Sequence, residues 1–114
     1  VMSKDQIQSL RTQCNDVFVH DSILDYITTI VEKTRGNDSF VNGASPRAAI
    51  SMLRMSKASA VLSGRDYVVP EDVRAVVFDV LRHRLKMSTK AKASSVTFEK
   101  SVDDILSSVR IPRT

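Results

Sequence analysis

Apolar positions along the chain fall into successive stripes at helical spacing, separated by short stretches rich in Gly, Asn, Ser or Pro. From Ser3 to about Gln13 the sequence opens with the capping box Ser3-x-x-Gln6. It carries Ile7, Leu10 and Cys14 on one side, which predicts a short first helix. Val17-Phe18-Val19 reads as a brief extended segment. Asp21 or Ser22 then caps a stronger helix to about Arg35, whose Ile23, Tyr26, Ile27, Ile30 and Val31 form a stripe that has to pack on something. Gly36-Asn37-Asp38-Ser39 ends it. A long central helix is expected from Pro46 to about Ser63, with Ala49, Leu53 and Ala60 on one face, Ile50, Val61 and Leu62 beside them, and Gly64 just past its end. Its small residues, Ser56, Ala58 and Ser59 among them, suggest close helix contact.

Pro70-Glu71-Asp72 starts the next helix with a proline at the first position and two acids where the helix dipole favours them. Val73, Val76, Val77, Val80 and Leu81 make its stripe, and Arg82, His83, Arg84 and Lys86 suit its C-terminal end. Periodicity is lost from Met87 to Ser95, which reads as an exposed loop, and Val96-Thr97-Phe98 as briefly extended. Ser101-x-x-Asp104 is then expected to cap a last short helix with Val102, Ile105, Leu106 and Val109 inward. The fold class is all-α, a single domain over residues 1–114 built as a small bundle of about five helices.

Composition narrows this without changing it. With 114 residues and 42% hydrophobic content the chain can bury a core of its own. It is too short for a nucleotide-binding α/β domain plus anything else. A formal charge of +4 permits a polyanionic partner but does not call for one. The single Cys14 cannot close an internal disulfide, and His20 and His83 lie far apart, so no metal-ligand spacing is present and a reducing, cytoplasmic setting is expected. No apolar run approaches the roughly 20 residues that span a bilayer. The abrupt start, without a signal-peptide apolar region, suggests a piece of a longer protein.

The densest local signal is Gly43-Ala44-Ser45-Pro46-Arg47-Ala48. Gly43 and Ala44 are small enough for the backbone to approach a ligand or a neighbouring element. Ser45 is a favoured N-cap, Pro46 fits the first helical position, and Arg47 falls in the first turn, where backbone amides and the dipole already favour an anion. An arginine there adds a planar, permanently charged fork suited to phosphate.

This stretch, together with Asp25-Tyr26-Ile27, Thr34-Arg35, the run from Gly64-Arg65-Asp66-Tyr67 through Val68-Val69-Pro70-Glu71-Asp72-Val73, and His83-Arg84-Leu85, resembles the C-terminal helical lid of MoxR-type AAA+ ATPases. The resemblance runs from about Ser3 to Pro112. It implies that Arg47 is the sensor-2 residue, reaching from the lid to the terminal phosphate of ATP held by a preceding AAA+ core. Gly43, Ala44, Ser45 and Pro46 would form the helix start that supports it. It further implies ATP and Mg²⁺ in the full-length protein, neighbouring subunits in a ring, and chaperone-like remodelling of partners, often ones with a von Willebrand A-type domain. No nucleic acid partner, bound metal or membrane span is expected. The chain has no G-x-x-x-x-G-K-[ST] loop and no strand ending in acids to hold Mg²⁺, so by itself it should not hydrolyse ATP.

Plainer readings stand beside these. On local context alone Arg47 is a solvated arginine, Arg65 and Asp66 a turn with a local ion pair, and Glu71 and Asp72 ordinary first-turn acids. His83 has no second group to make it a general base, His20 has no obvious partner, and Cys14 reads as a small buried hydrophobe. Asp103 and Asp104 are adjacent and point about 100° apart on a helix, so they cannot act on one atom. A competing function is a free-standing nucleic-acid-binding module using Arg82, Arg84, Lys86, Lys90 and Lys92. Against it, the Gly64 to Val69 connector is longer than the helix-turn-helix link of about 3 or 4 residues, and Glu71, Asp72 and Asp79 dilute a phosphate-facing stripe. A helical adaptor that binds only protein is a third reading.

Overall fold

The computed structural model describes residues 3–112, apart from the side chain of Leu10, whose expected inward place therefore lies outside the described residues. Its helices are α1 (Lys4–Asn15), α2 (Asp21–Arg35), α3 (Pro46–Leu62), α4 (Pro70–Arg82), α5 (Thr89–Ala93) and α6 (Phe98–Ser108). α3 is the hub, packing on α1, α2 and α4, while α6 closes the other side against α2 and α4. Among the described residues α1 touches no helix but α3.

The stripes of α2, α4 and α6 bury as their periodicity requires, with Ile23, Ile30, Val73, Val77, Leu81 and Val102 fully enclosed. The first helix has the expected capping box, in which Ser3 Oγ accepts from the Gln6 amide and the Gln6 side chain accepts from the Ser3 amide. Val17 to Val19 is extended and pairs in parallel with the α3–α4 connector. Phe18 N–H donates to the Asp66 carbonyl at 2.8 Å, and the Val68 N–H donates to the Phe18 carbonyl at 3.0 Å. Past α3, Gly64 adopts φ +79°, its N–H bonds the Val61 carbonyl, and the Arg65 N–H bonds the Ala60 carbonyl. That is a Schellman ending, which a side chain at Gly64 would disfavour.

Several expectations are corrected. Ala60 is buried on α3 as expected, but with Ala48, Met52 and Ser56 beside it and not Ala49 and Leu53. Ala49 and Leu53 are half-buried, and Ile50 and Leu62 are exposed. The cause is that α1, α2 and α4 all pack on α3, so the face between them, three small residues and Met52, is the one covered. The cap of α2 is His20 rather than Asp21 or Ser22, because His20 Nδ1 lies 3.1 Å from the Ser22 amide and can accept from it. The Met87 to Ser95 stretch is not wholly loop: Ser88 Oγ accepts from the Ala91 amide and starts α5, with Ala91 buried. Thr97, not Ser101, caps the last helix by accepting from the Lys100 amide. Phe98 is thus helical rather than extended, and Ser101 is buried inside the helix. Cys14 is half-buried rather than enclosed.

Candidate functional site

The Gly43 to Arg47 stretch is anchored by the last turn of α2. Thr34 is fully buried at the end of the α2 stripe, and its hydroxyl donates to the Val31 carbonyl and accepts from the Ala44 amide at 2.8 Å. Arg35 Nε donates to the Ala44 carbonyl at 3.2 Å. Both backbone polar groups of buried Ala44 are therefore satisfied by adjacent side chains, as a buried loop residue requires. Gly43 has φ +72°, and a Cβ built there would lie 2.5 Å from the Arg35 Cα. The small residues at 43 and 44 thus let the loop press against another element of the same chain.

From this anchor the backbone turns into α3. Ser45 occupies the N-cap position with φ −76° and ψ 165°, Pro46 follows at the first helical position, and the Ala48 amide bonds the Ser45 carbonyl. The Ser45 hydroxyl, expected to accept from a first-turn amide, makes no such bond. The first turn of α3 contains no acid, whereas those of α1, α2, α4 and α6 do. Arg47 is exposed and forms no ion pair among the described residues. The result is an uncompensated helix start with a free guanidinium beside it, an arrangement that favours an anion.

The chain is an AAA lid domain: the sequence model of that family, "AAA lid domain", matches residues 32–107. This chain belongs to the AAA lid family. It is 36% identical over 98% of its length to the uncharacterized protein YeaC of Bacillus subtilis and 35% identical over 99% to Chaperone MoxR1 of Mycobacterium tuberculosis. A crystal structure of a candidate ATPase from Cytophaga hutchinsonii superposes with a TM-score of 0.89 at 34% identity, over 98% of this chain and 37% of that one. The lid spans about a third of its curated relatives, 35% of YeaC and 32% of MoxR1. With named relatives that are MoxR proteins, it is a lid of the MoxR type.

A second polar cluster sits at the α3–α4 connector of the lid. Asp72 is 2% exposed and takes two bonds from Arg65, at 2.7 and 2.9 Å, one from Ser59 Oγ and one from the Val69 amide. The partner of Arg65 is thus Asp72, not the neighbouring Asp66, and Asp72 does more than complement a helix dipole. The sequence signal was present, an Asp at the third helical position able to reach back to the N-cap amide, but its pairing with Arg65 is a tertiary fact. The cations proposed for nucleic acid are partly committed elsewhere. Arg82 lies 3.4 Å from Glu99 and over the Phe98 ring, Arg84 donates to Ser51 Oγ, and Lys90 lies 3.9 Å from Asp38. Among the described residues no group of His, Cys, Asp and Glu is arranged to hold a metal, and no helix is long and apolar enough to cross a membrane.

Proposed function

We propose that this lid completes the ATP site of a MoxR-type AAA+ ATPase, with Arg47 as its sensor-2 arginine and Gly43 to Pro46 as the support that aims it. The carrying observation is Arg47 itself, exposed and unpaired in an acid-free first turn whose preceding loop is bonded to Thr34 and Arg35. A guanidinium on this helix start offers two parallel N–H donors to phosphate oxygens, and the anchored loop fixes the backbone from which it reaches the γ-phosphate. In this reading the AAA+ core precedes the lid in the same protein and supplies the phosphate loop and Mg²⁺ ligands. The lid closes over nucleotide, and hydrolysis moves its helical body as a lever on neighbouring subunits of a ring and on client proteins. Partners with von Willebrand A-type domains are part of the same proposal.

Arg47→Ala in the full-length protein is expected to lower ATP turnover by roughly 10²- to 10³-fold, the loss typical of one preorganised transition-state donor. Its circular dichroism and Tm should be unchanged, since Arg47 makes no ion pair among the described residues. Wild-type turnover in a folded Arg47→Ala protein would refute the assignment.

A further inference from the structure

The helix pair α1 and α3 encloses a groove of about 700 Å³ on the outside of the lid. From α1 it is lined by Ile7, Arg11 and Cys14, and from α3 by Ile50, Leu53, Arg54 and Lys57. These positions recur at one- and two-turn spacing on both helices, so the groove runs about 10 Å along their axes. Its floor is apolar, with Ile7 and Ile50 left 42% and 52% exposed. Its rim carries Arg11, Arg54 and Lys57, no carboxylate lines it, and none of the three cations forms an ion pair among the described residues.

We propose that this groove binds an acidic amphipathic helix of a partner protein. An apolar floor between two helices is the receptor geometry for a third helix laid in by its apolar stripe, and unpaired cations along the rim select acids flanking that stripe. Nucleic acid fits poorly, because the lining has no aromatic side chain for base stacking, and Asn15 is its one uncharged amide side chain. A lipid surface fits poorly because the site is concave. A second copy of the lid fits poorly, since a two-fold contact through this face would set Arg11, Arg54 and Lys57 of one copy against those of the other. Arg47 is absent from the lining, so the proposal does not depend on the ATP reading.

Cys14, the only cysteine of the chain, lies in the groove and reports its occupancy. The test titrates the 114-residue chain with a fluorescein-labelled synthetic helix bearing one leucine stripe flanked by glutamates, read by anisotropy, alongside alkylation of Cys14 by iodoacetamide. Saturable binding is expected, with Cys14 alkylation slowing in proportion to occupancy and little binding of a scrambled peptide of the same composition. Arg54→Glu and Lys57→Glu should each weaken binding by about tenfold, with Tm checked for both. Arg47→Ala should bind as wild type, which separates this proposal from the ATP reading. Equal binding of the scrambled peptide, or unchanged affinity in a folded Arg54→Glu chain, would overturn it. So would Cys14 already protected without peptide, either by self-association of the chain or in the longer protein, because the groove would then have another occupant.

Discussion

At the scale of single residues, two positions fix the backbone, Gly43 in the loop before Arg47 and Asp72 at the α3–α4 connector. Gly43 is in the left-handed region and meets the α2 backbone where a Cβ would sit, so neither a rotamer change nor a small side-chain shift relieves a substitution. Gly43→Ala is expected to lose about 1–3 kcal/mol from backbone conformation alone, with steric overlap adding to it, measurable by urea denaturation of the lid. A stability equal to wild type would show that the loop has room the geometry denies. Asp72 is the other such position. Removing Arg65 leaves its carboxylate buried with only the Ser59 hydroxyl and the Val69 amide, a costly state for a charge. Arg65→Met should destabilise by about 3 kcal/mol, the low end for a broken buried pair, because Arg65 itself keeps 25% exposure. A Tm within error of wild type would mean that water replaces the guanidinium at no cost.

At the scale of elements, the least regular part of the chain is held by backbone pairing as well as by burial of Phe40 and Ala91. The connector after α4 is pinned to the loop after α2. The Val41 amide donates to the Lys86 carbonyl, the Ser88 amide to the Ser39 carbonyl, and Ser88 Oγ to the Asp38 carbonyl at 2.7 Å. Phe40 and Met87 form the antiparallel bridge between the two segments. A five-residue helix cannot hold itself in water, so α5 depends on its Ser88 cap and on this neighbour. Ser88→Ala should therefore cost about 1 kcal/mol and speed amide exchange across residues 89–93 while leaving α2 and α6 protected. Uniform exchange in wild type and variant would show α5 to be held by something else.

At the scale of the whole molecule, the lid is extended. Its radius of gyration is 15.2 Å, against about 13 Å for a compact chain of this length. The excess reflects α1, which among the described residues packs only on α3 and contributes no side chain to the core. The remaining long helices share one core, so Arg47, at the start of α3, is carried by the body of the lid and not by a free loop. This division predicts two levels of protection in hydrogen exchange, with α1 opening more readily than α3, α4 and α6. Equal protection of α1 and α3 would show one cooperative unit. The same arrangement leaves the α1–α3 groove on the outside, where its apolar floor is open to a partner.

What the sequence determined by itself was whatever depends on local periodicity and end chemistry. The stripes of α2, α4 and α6, the capping box at Ser3, Pro46 and Pro70 at helix starts and Gly64 at a helix end are all set by residues within a few positions of one another. The motif at Gly43 to Arg47 was legible for the same reason, and with it the lid family. Tertiary structure decided what depends on residues far apart in the chain. Thr34 and Arg35 reach across a loop to hold Ala44, Arg65 turns to Asp72 and not to Asp66, and Ala48, Met52, Ser56 and Ala60 form the buried face of α3 because other helices pack there. Periodicity cannot report such choices, because it records which face is apolar and not which neighbour arrives to cover it.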